Sequence, residues 1–296
     1  HMPALKPPPP PTGAPPAGVP AQPTKTSMPK KFVRPVAEFR PPLIILNAVE
    51  GWGKTTFGAY APDAGIIMAR GEIGYLTLLG ARRVPERPIV QIDNWQELLD
   101  LCDSLATDTG GLKTLVFDAM GGFERMCHEM VCDRDFGGDW SDRGFMSFHK
   151  GYEVSAVEWK QFTDRLERIN ATKILLSHCK VRTFKNPLGA DFDRYASDVH
   201  DKTWSVTAKC SDAVLFGTFH TVVQGGKTGD RPQKGKGIGG TTRVIHTERR
   251  DAWDAKNRYG LPSTIDIPND PKKAFETVWK EIAKCQQQPE GTAVGL

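Results

Sequence analysis

The chain has 296 residues, 39% of them hydrophobic and 25% charged, which suits a soluble globular protein of one large domain or two small ones. A net charge of +4 permits a nucleic-acid partner without demanding one. No apolar run approaches the ~18 residues of a membrane span, no apolar leader is expected at the start, and six scattered cysteines without a C-x-x-C pair argue against a disulfide framework or a zinc ribbon and for free thiols in a reducing cytoplasm.

Residues 1–31, with the run PPPPP and further prolines, cannot bury a core and are expected to be a disordered, polyproline-rich tail. Residues 32–285 are expected to form the folded domain, and 286–296 a second disordered tail. Within the domain, Leu43–Asn47 reads as a buried strand, followed by a glycine-containing turn and a helix from Lys54 to about Tyr60. Ala64–Ala69 and Ile89–Ile92 are further strands. Asn94 then caps a helix, with Glu97 in the reciprocal place of a capping box. Thr114–Asp118 is a fourth strand, and a helix from about Gly122 to Asp133 follows. Residues 135–150, DFGGDWSDRGFMSFHK, read as a surface loop, 153–170 as a long amphipathic helix, and Thr172–Ser177 as another buried strand. Alternating strands and helices predict a mainly parallel α/β sheet flanked by helices. After Ser177 the pattern changes: 180–202 reads as a polar loop, 213–223 and 241–248 as a C-terminal β-hairpin extension, 263–267 as a last strand, and 271–285 as a terminal helix.

Chemistry concentrates at Ala48, Val49, Glu50, Gly51, Trp52, Gly53, Lys54, Thr55 and Thr56. This stretch approximates the phosphate-binding pattern G-x-x-x-x-G-K-[ST], with Ala48 in place of the first glycine and an extra Gly51 inside the loop. Glycines let backbone amides approach phosphate oxygens closely. Lys54 would sit against the β- and γ-phosphates of ATP, and the Thr55 hydroxyl would hold Mg²⁺. Asp118 closes the apolar run LVF in a later strand, where a carboxylate can support the same metal. The residue after it is Ala119, not a glutamate, so a water-activating base must come from elsewhere. Glu72, just after the second strand, is the candidate, and its alternative role is to cap the helix that begins near Ile73. The Gln224–Arg243 segment sets Lys227, Arg231, Lys234, Lys236 and Arg243 against one acid, Asp230. A flexible cationic loop of this kind suits a single-strand phosphate backbone, or is a solvated hairpin loop. Base stacking would have to come from Trp140, Phe145 and Phe148 with Lys150, or from Phe184 with Lys180, Arg182 and Lys185.

The loop GKTT, Glu72 after the second strand, and Asp118 at the end of an apolar strand together resemble the RecA-like P-loop ATPases. The fit is closer to phage nucleotide-binding ATPases of the AAA class, the RecA-like single-strand annealing proteins of the Sak type, on EIG at 72–74, LLSH at 175–178, SDAV at 211–214, KNR at 256–258 and GLP at 260–262. The resemblance spans about residues 40–270. It implies a RecA-like NTPase fold, Glu72 as catalytic base, and His178 as a sensor of the γ-phosphate. It implies Lys256 and Arg258 as fingers reaching a neighbouring subunit's nucleotide, and the loops around 135–150 and 180–185 as DNA-facing. The expected function is ATP hydrolysis coupled to single-stranded DNA in phage-type recombination or annealing. The expected partners are further copies in a ring or filament and a single-strand binding or recombination protein, in the cytoplasm of a bacterial or phage-infected cell. Two rivals stay open: a nucleotide-gated annealing or scaffold protein with little hydrolysis, and a loader or motor ATPase.

Overall fold

A computed structural model describes residues 40–187, 189–224 and 236–286. The expected tails, the expected domain start at 32–39, and the cations Lys227, Arg231 and Lys234 lie outside the described residues.

The sheet is built around β1 (Leu43–Ala48), all six residues of which are buried. A strand buried on both faces needs apolar side chains throughout, and this is why LIILNA shows no polar alternation. β1 lies parallel between β5 (Thr172–Phe184) and β7 (Ala213–Gln224). β4 (Thr114–Asp118), β2 (Ala64–Ala69) and β3 (Ile89–Ile92) continue the parallel sheet beyond β5. Beyond β7, β8 (Lys236–His246) and β10 (Thr264–Ile267) add antiparallel, so the order among the described residues is β10-β8-β7-β1-β5-β4-β2-β3. The short β9 (Lys256–Asn257) pairs with the start of β7.

Successive side chains of a strand point to opposite faces, and the two faces feed two cores. Ile44, Leu46, Ile66, Met68, Val116, Ile174, Leu176, Leu215 and Ile245 pack with α1 (Lys54–Ala59) and with Phe275, Val278 and Ile282 of α7 (Pro271–Gln286). Leu43, Ile45, Ile67, Leu115, Phe117 and Leu175 pack with α3 (Trp95–Thr107), α4 (Met120–Phe136) and α5 (Lys150–Arg168) on the other side. Asn94 caps α3 as expected, accepting from the Glu97 amide at 3.0 Å, but the box is displaced by one residue: the Glu97 carboxylate accepts from the amide of Asp93, before the cap, at 2.9 Å.

Two stretches differ from expectation. Residues 180–202 are not a polar loop. β5 runs on to Phe184 and pairs antiparallel with β6 (Phe192–Ser197), and α6 (Asp201–Cys210) follows. A two-stranded ribbon beside the sheet buries neither face fully: Cys179 and Val181 alternate with His178, Lys180 and Arg182, but the alternation is short and Val181 is exposed, so the stretch reads as polar. The 135–150 stretch is also less open than a surface loop. α4 extends into it from one side, a short 3₁₀ turn (Ser147–His149) and α5 enter from the other, and Phe145 is fully buried against Phe136, Trp140 and Tyr152. Phe145 is therefore an anchor and cannot stack on a base, whereas Phe148 is 97% exposed.

Candidate nucleotide site

The C-terminal end of β1 places Ala48 between His178 of β5 and Gly217 of β7. From there the chain turns through Val49–Gly53 into α1. Left-handed backbone falls on two glycines, Gly51 (φ 74°) and Gly53 (φ 96°), where the absence of a Cβ makes it permissible. Ala48 is still strand, so alanine is tolerated at the position where the pattern asks for glycine. The Trp52 indole is buried beside Gly217, and its Nε1 donates to the Thr218 carbonyl at 3.1 Å. The loop is thus pinned to β7 by the Trp52 side chain. Lys54 is only 7% exposed, and its ammonium donates to the Ala48 carbonyl at 3.1 Å. Burial pushes its pKa below the usual lysine range, while Cys179, Asp118, Asp198 and Glu50 pull the other way.

β4 delivers Asp118 to the same end of the sheet. The Thr55 hydroxyl donates to Asp118 Oδ2 at 2.8 Å, joining two residues 63 positions apart. Burial raises the Asp118 pKa, opposed by that hydrogen bond and by His178 and Lys54. The Asp118–Ala119 peptide is cis. Glu72 follows β2, whose Met68 is the register partner of Asp118. Burial raises its pKa first and the Asp118 charge second, with His178 and Arg125 opposing. Glu72 does not cap α2 (Gly74–Gly80): the cap position is Ile73, and no side chain bonds there.

A third carboxylate, Asp198, joins them and was not anticipated. It follows β6, and its amide donates to the His178 carbonyl at 2.9 Å. Its Oδ1 is buried without a hydrogen-bond partner among the described residues, and Oδ2 stands 3.1 Å from where a Cβ on Gly121 would be. Burial raises its pKa, with His178, Lys180 and Lys54 opposing. No local motif marks Asp198; only the β5–β6 ribbon carries it back to the site.

The phosphate loop opens into a cleft of about 510 Å³, lined also by Leu78, Arg83, His178, Arg243, Asn269 and Pro271. His178, expected at the site, is there, on β5 between β1 and β4. Arg243, expected among DNA-contacting cations, instead sits over the Trp52 ring, with its Cζ 5.5 Å from the ring centroid. Lys236 begins β8.

The other expected cations are scattered. Lys180 donates to the Asp198 carbonyl at 3.0 Å, Arg182 pairs with Asp201 at 2.6 Å, and Lys185 pairs with Asp191 at 2.6 Å, all on or beside the β5–β6 ribbon. Lys150 is exposed at the start of α5. Lys256 and Arg258 are not free fingers. The Lys256 ammonium donates to the carbonyls of Ala208, Lys209 and Ser211 at 2.7, 2.9 and 2.7 Å, closing the C-terminus of α6. Arg258 binds Asp212 at 3.2 Å and the Lys209 carbonyl at 3.0 Å. Both stand near the start of β7, the end of the sheet opposite the phosphate loop.

A family model described as an AAA domain matches residues 40–259, well over half of the chain. The matched span includes Lys54, Thr55, Glu72, Asp118, His178, Asp198 and Arg243. No curated protein matches the chain. Among the described residues, no helix is long and apolar enough to cross a membrane.

Proposed function

The chain belongs to the AAA-domain family of P-loop ATPases, and from that premise we propose that it hydrolyses ATP with Mg²⁺ and couples turnover to single-stranded DNA in recombination or annealing of the phage type. The observation that carries the nucleotide reading is the Thr55–Asp118 bond at 2.8 Å. It joins a hydroxyl and a carboxylate beside a desolvated lysine, in a cleft floored by two left-handed glycines.

The donor set fits Mg²⁺, which prefers hard oxygen ligands and keeps several waters. Thr55 and Asp118 would hold it, and Asp198, whose charge acts on Lys54 and Glu72, has one buried oxygen without a partner among the described residues. When bound, the metal neutralises charge on the phosphates and orients the terminal group. Lys54, its ammonium poorly solvated, would bind the phosphate tail. Glu72, with a pKa raised toward the working pH, would take the proton of the attacking water. His178 would face the terminal phosphate. Its strand supports a link to DNA: β5 runs without a break from His178 into the ribbon that carries Lys180, Arg182 and Phe184. Ile73 and Leu76, apolar and exposed at α2, fit burial by a second copy in a ring or filament.

The test is ATP turnover with and without single-stranded DNA at two salt concentrations. Stimulation that falls steeply with salt supports contact with the phosphate backbone. Turnover without stimulation at either salt favours a loader or motor ATPase, and Lys54→Ala with full activity would refute the site.

A further inference from the structure

We propose that Arg243 is a phosphate-binding residue of the nucleotide cleft, gripping the phosphate tail of a bound nucleoside di- or triphosphate from the β8 side. The inference rests on the nucleotide-binding reading above and extends it to a residue far outside the loop motif.

Position comes first. Arg243 is a register partner of Phe219 on β7 and of Ile267 on β10, so its backbone is held from both sides. Its side chain crosses the Trp52 ring and donates through NH1 to the Trp52 carbonyl at 3.4 Å. The same nitrogen lies 3.3 Å from where a Cβ on Gly53 would be. NH2 donates to the Pro268 carbonyl at 2.7 Å. The guanidinium therefore lies against the loop glycine that opens α1.

Charge comes second. Arg182 has Asp201, Arg194 has Asp254 and Arg258 has Asp212, but among the described residues no carboxylate pairs with Arg243. Burial lowers its pKa, and no acid opposes that effect. A guanidinium carries five N–H donors, and among the described residues two acceptors meet it, the Trp52 and Pro268 carbonyls. A partly desolvated cation with spare donors, in a cleft that also holds Lys54, calls for an anion. Arginine's planar fork matches phosphate oxygens in pairs. Two carbonyl contacts alone would be served as well by a neutral amide, and this contrast makes the role testable.

The experiment measures affinity for ATP and ADP, over a series of salt concentrations, for wild type, Arg243→Gln, Arg243→Lys and Lys54→Ala, with thermal unfolding of each protein without nucleotide. Gln keeps donors for the two carbonyls and loses the charge. The expected result is that R243Q unfolds within a few degrees of wild type, binds ATP and ADP about 10- to 100-fold more weakly, and shows a flatter salt dependence, while R243K recovers part of the affinity. R243Q binding both nucleotides as tightly as wild type overturns the proposal, provided that Lys54→Ala abolishes binding and so certifies the site. If R243Q unfolds early, R243K decides: recovered affinity supports the phosphate role, and a loss equal to that of R243Q overturns it. Wild type that binds neither nucleotide overturns the nucleotide reading, and this inference falls with it.

Discussion

Ala48 and Gly217 are register partners on β1 and β7, and a Cβ on Gly217 would lie 2.8 Å from the Ala48 Cβ and 2.8 Å from the Trp52 indole. The absent side chain at 217 makes room for the one at 48 and for the tryptophan that pins the loop. Gly217→Ala is expected to cost about 1–3 kcal/mol through overpacking and to weaken ATP binding by displacing Trp52. Ala48→Gly, which restores the usual motif, is expected to weaken the strand by roughly 0.5–1 kcal/mol without improving affinity. Denaturant unfolding with nucleotide titration checks both.

Asp118 trades stability for binding. Its charge is buried, and asparagine would keep an acceptor for Thr55 while removing that charge. Asp118→Asn is expected to unfold no earlier than wild type at neutral pH without Mg²⁺, and to lose Mg²⁺-dependent ATP turnover by about 100-fold or more. Thermal melts in chelator and steady-state turnover would decide it; a variant that turned over normally would remove Asp118 from the site.

Glu72→Gln separates binding from chemistry. The amide keeps shape and cannot take a proton. ATP affinity is expected within a few-fold of wild type, and turnover to fall by about 10²–10⁴, the usual range for a general base. Equal turnover in both proteins would exclude Glu72 as the base.

The acids also set a pH dependence. Asp118, Glu72 and Asp198 all have folded pKa values above their ordinary range, chiefly through burial. Such groups contribute stability that is fully present below the unfolded carboxylate pKa and is lost as pH rises through the folded value. The protein without metal is therefore expected to lose stability over that window, and Mg²⁺ with ATP to restore it. Because the metal needs deprotonated ligands, its apparent affinity should fall as pH drops through the raised pKa values, with protons released on binding. Calorimetry in buffers of different ionisation enthalpy reads the proton count.

Lys256 is expected to matter for folding and not for turnover. Three carbonyls at the end of α6 would lose their cation in Lys256→Met, at about 1–3 kcal/mol. ATP turnover per folded molecule should stay within twofold. A finger acting on a neighbour's nucleotide would instead show a loss of ~10³ or more at unchanged stability.

Much of this molecule is written in local pattern. Ala64–Ala69, Ile89–Ile92 and Thr114–Asp118 are apolar runs bounded by turns, and each forms a strand with those limits. The expected parallel sheet follows, with GKTT opening a helix after β1. Capping, strand burial and glycine placement act within a few residues of their cause and can be read from the chain alone. Tertiary structure alone decided the rest. Arg243 reaches Trp52 across 191 positions of sequence, Asp198 returns on a short, mostly polar ribbon, and Lys256 is spent on the carbonyls of a helix end. A charged residue looks the same in sequence whether it will meet DNA, a phosphate or its own backbone. What separates these fates is the set of acceptors that distant strands bring within hydrogen-bonding reach, and that set exists only once the sheet has formed.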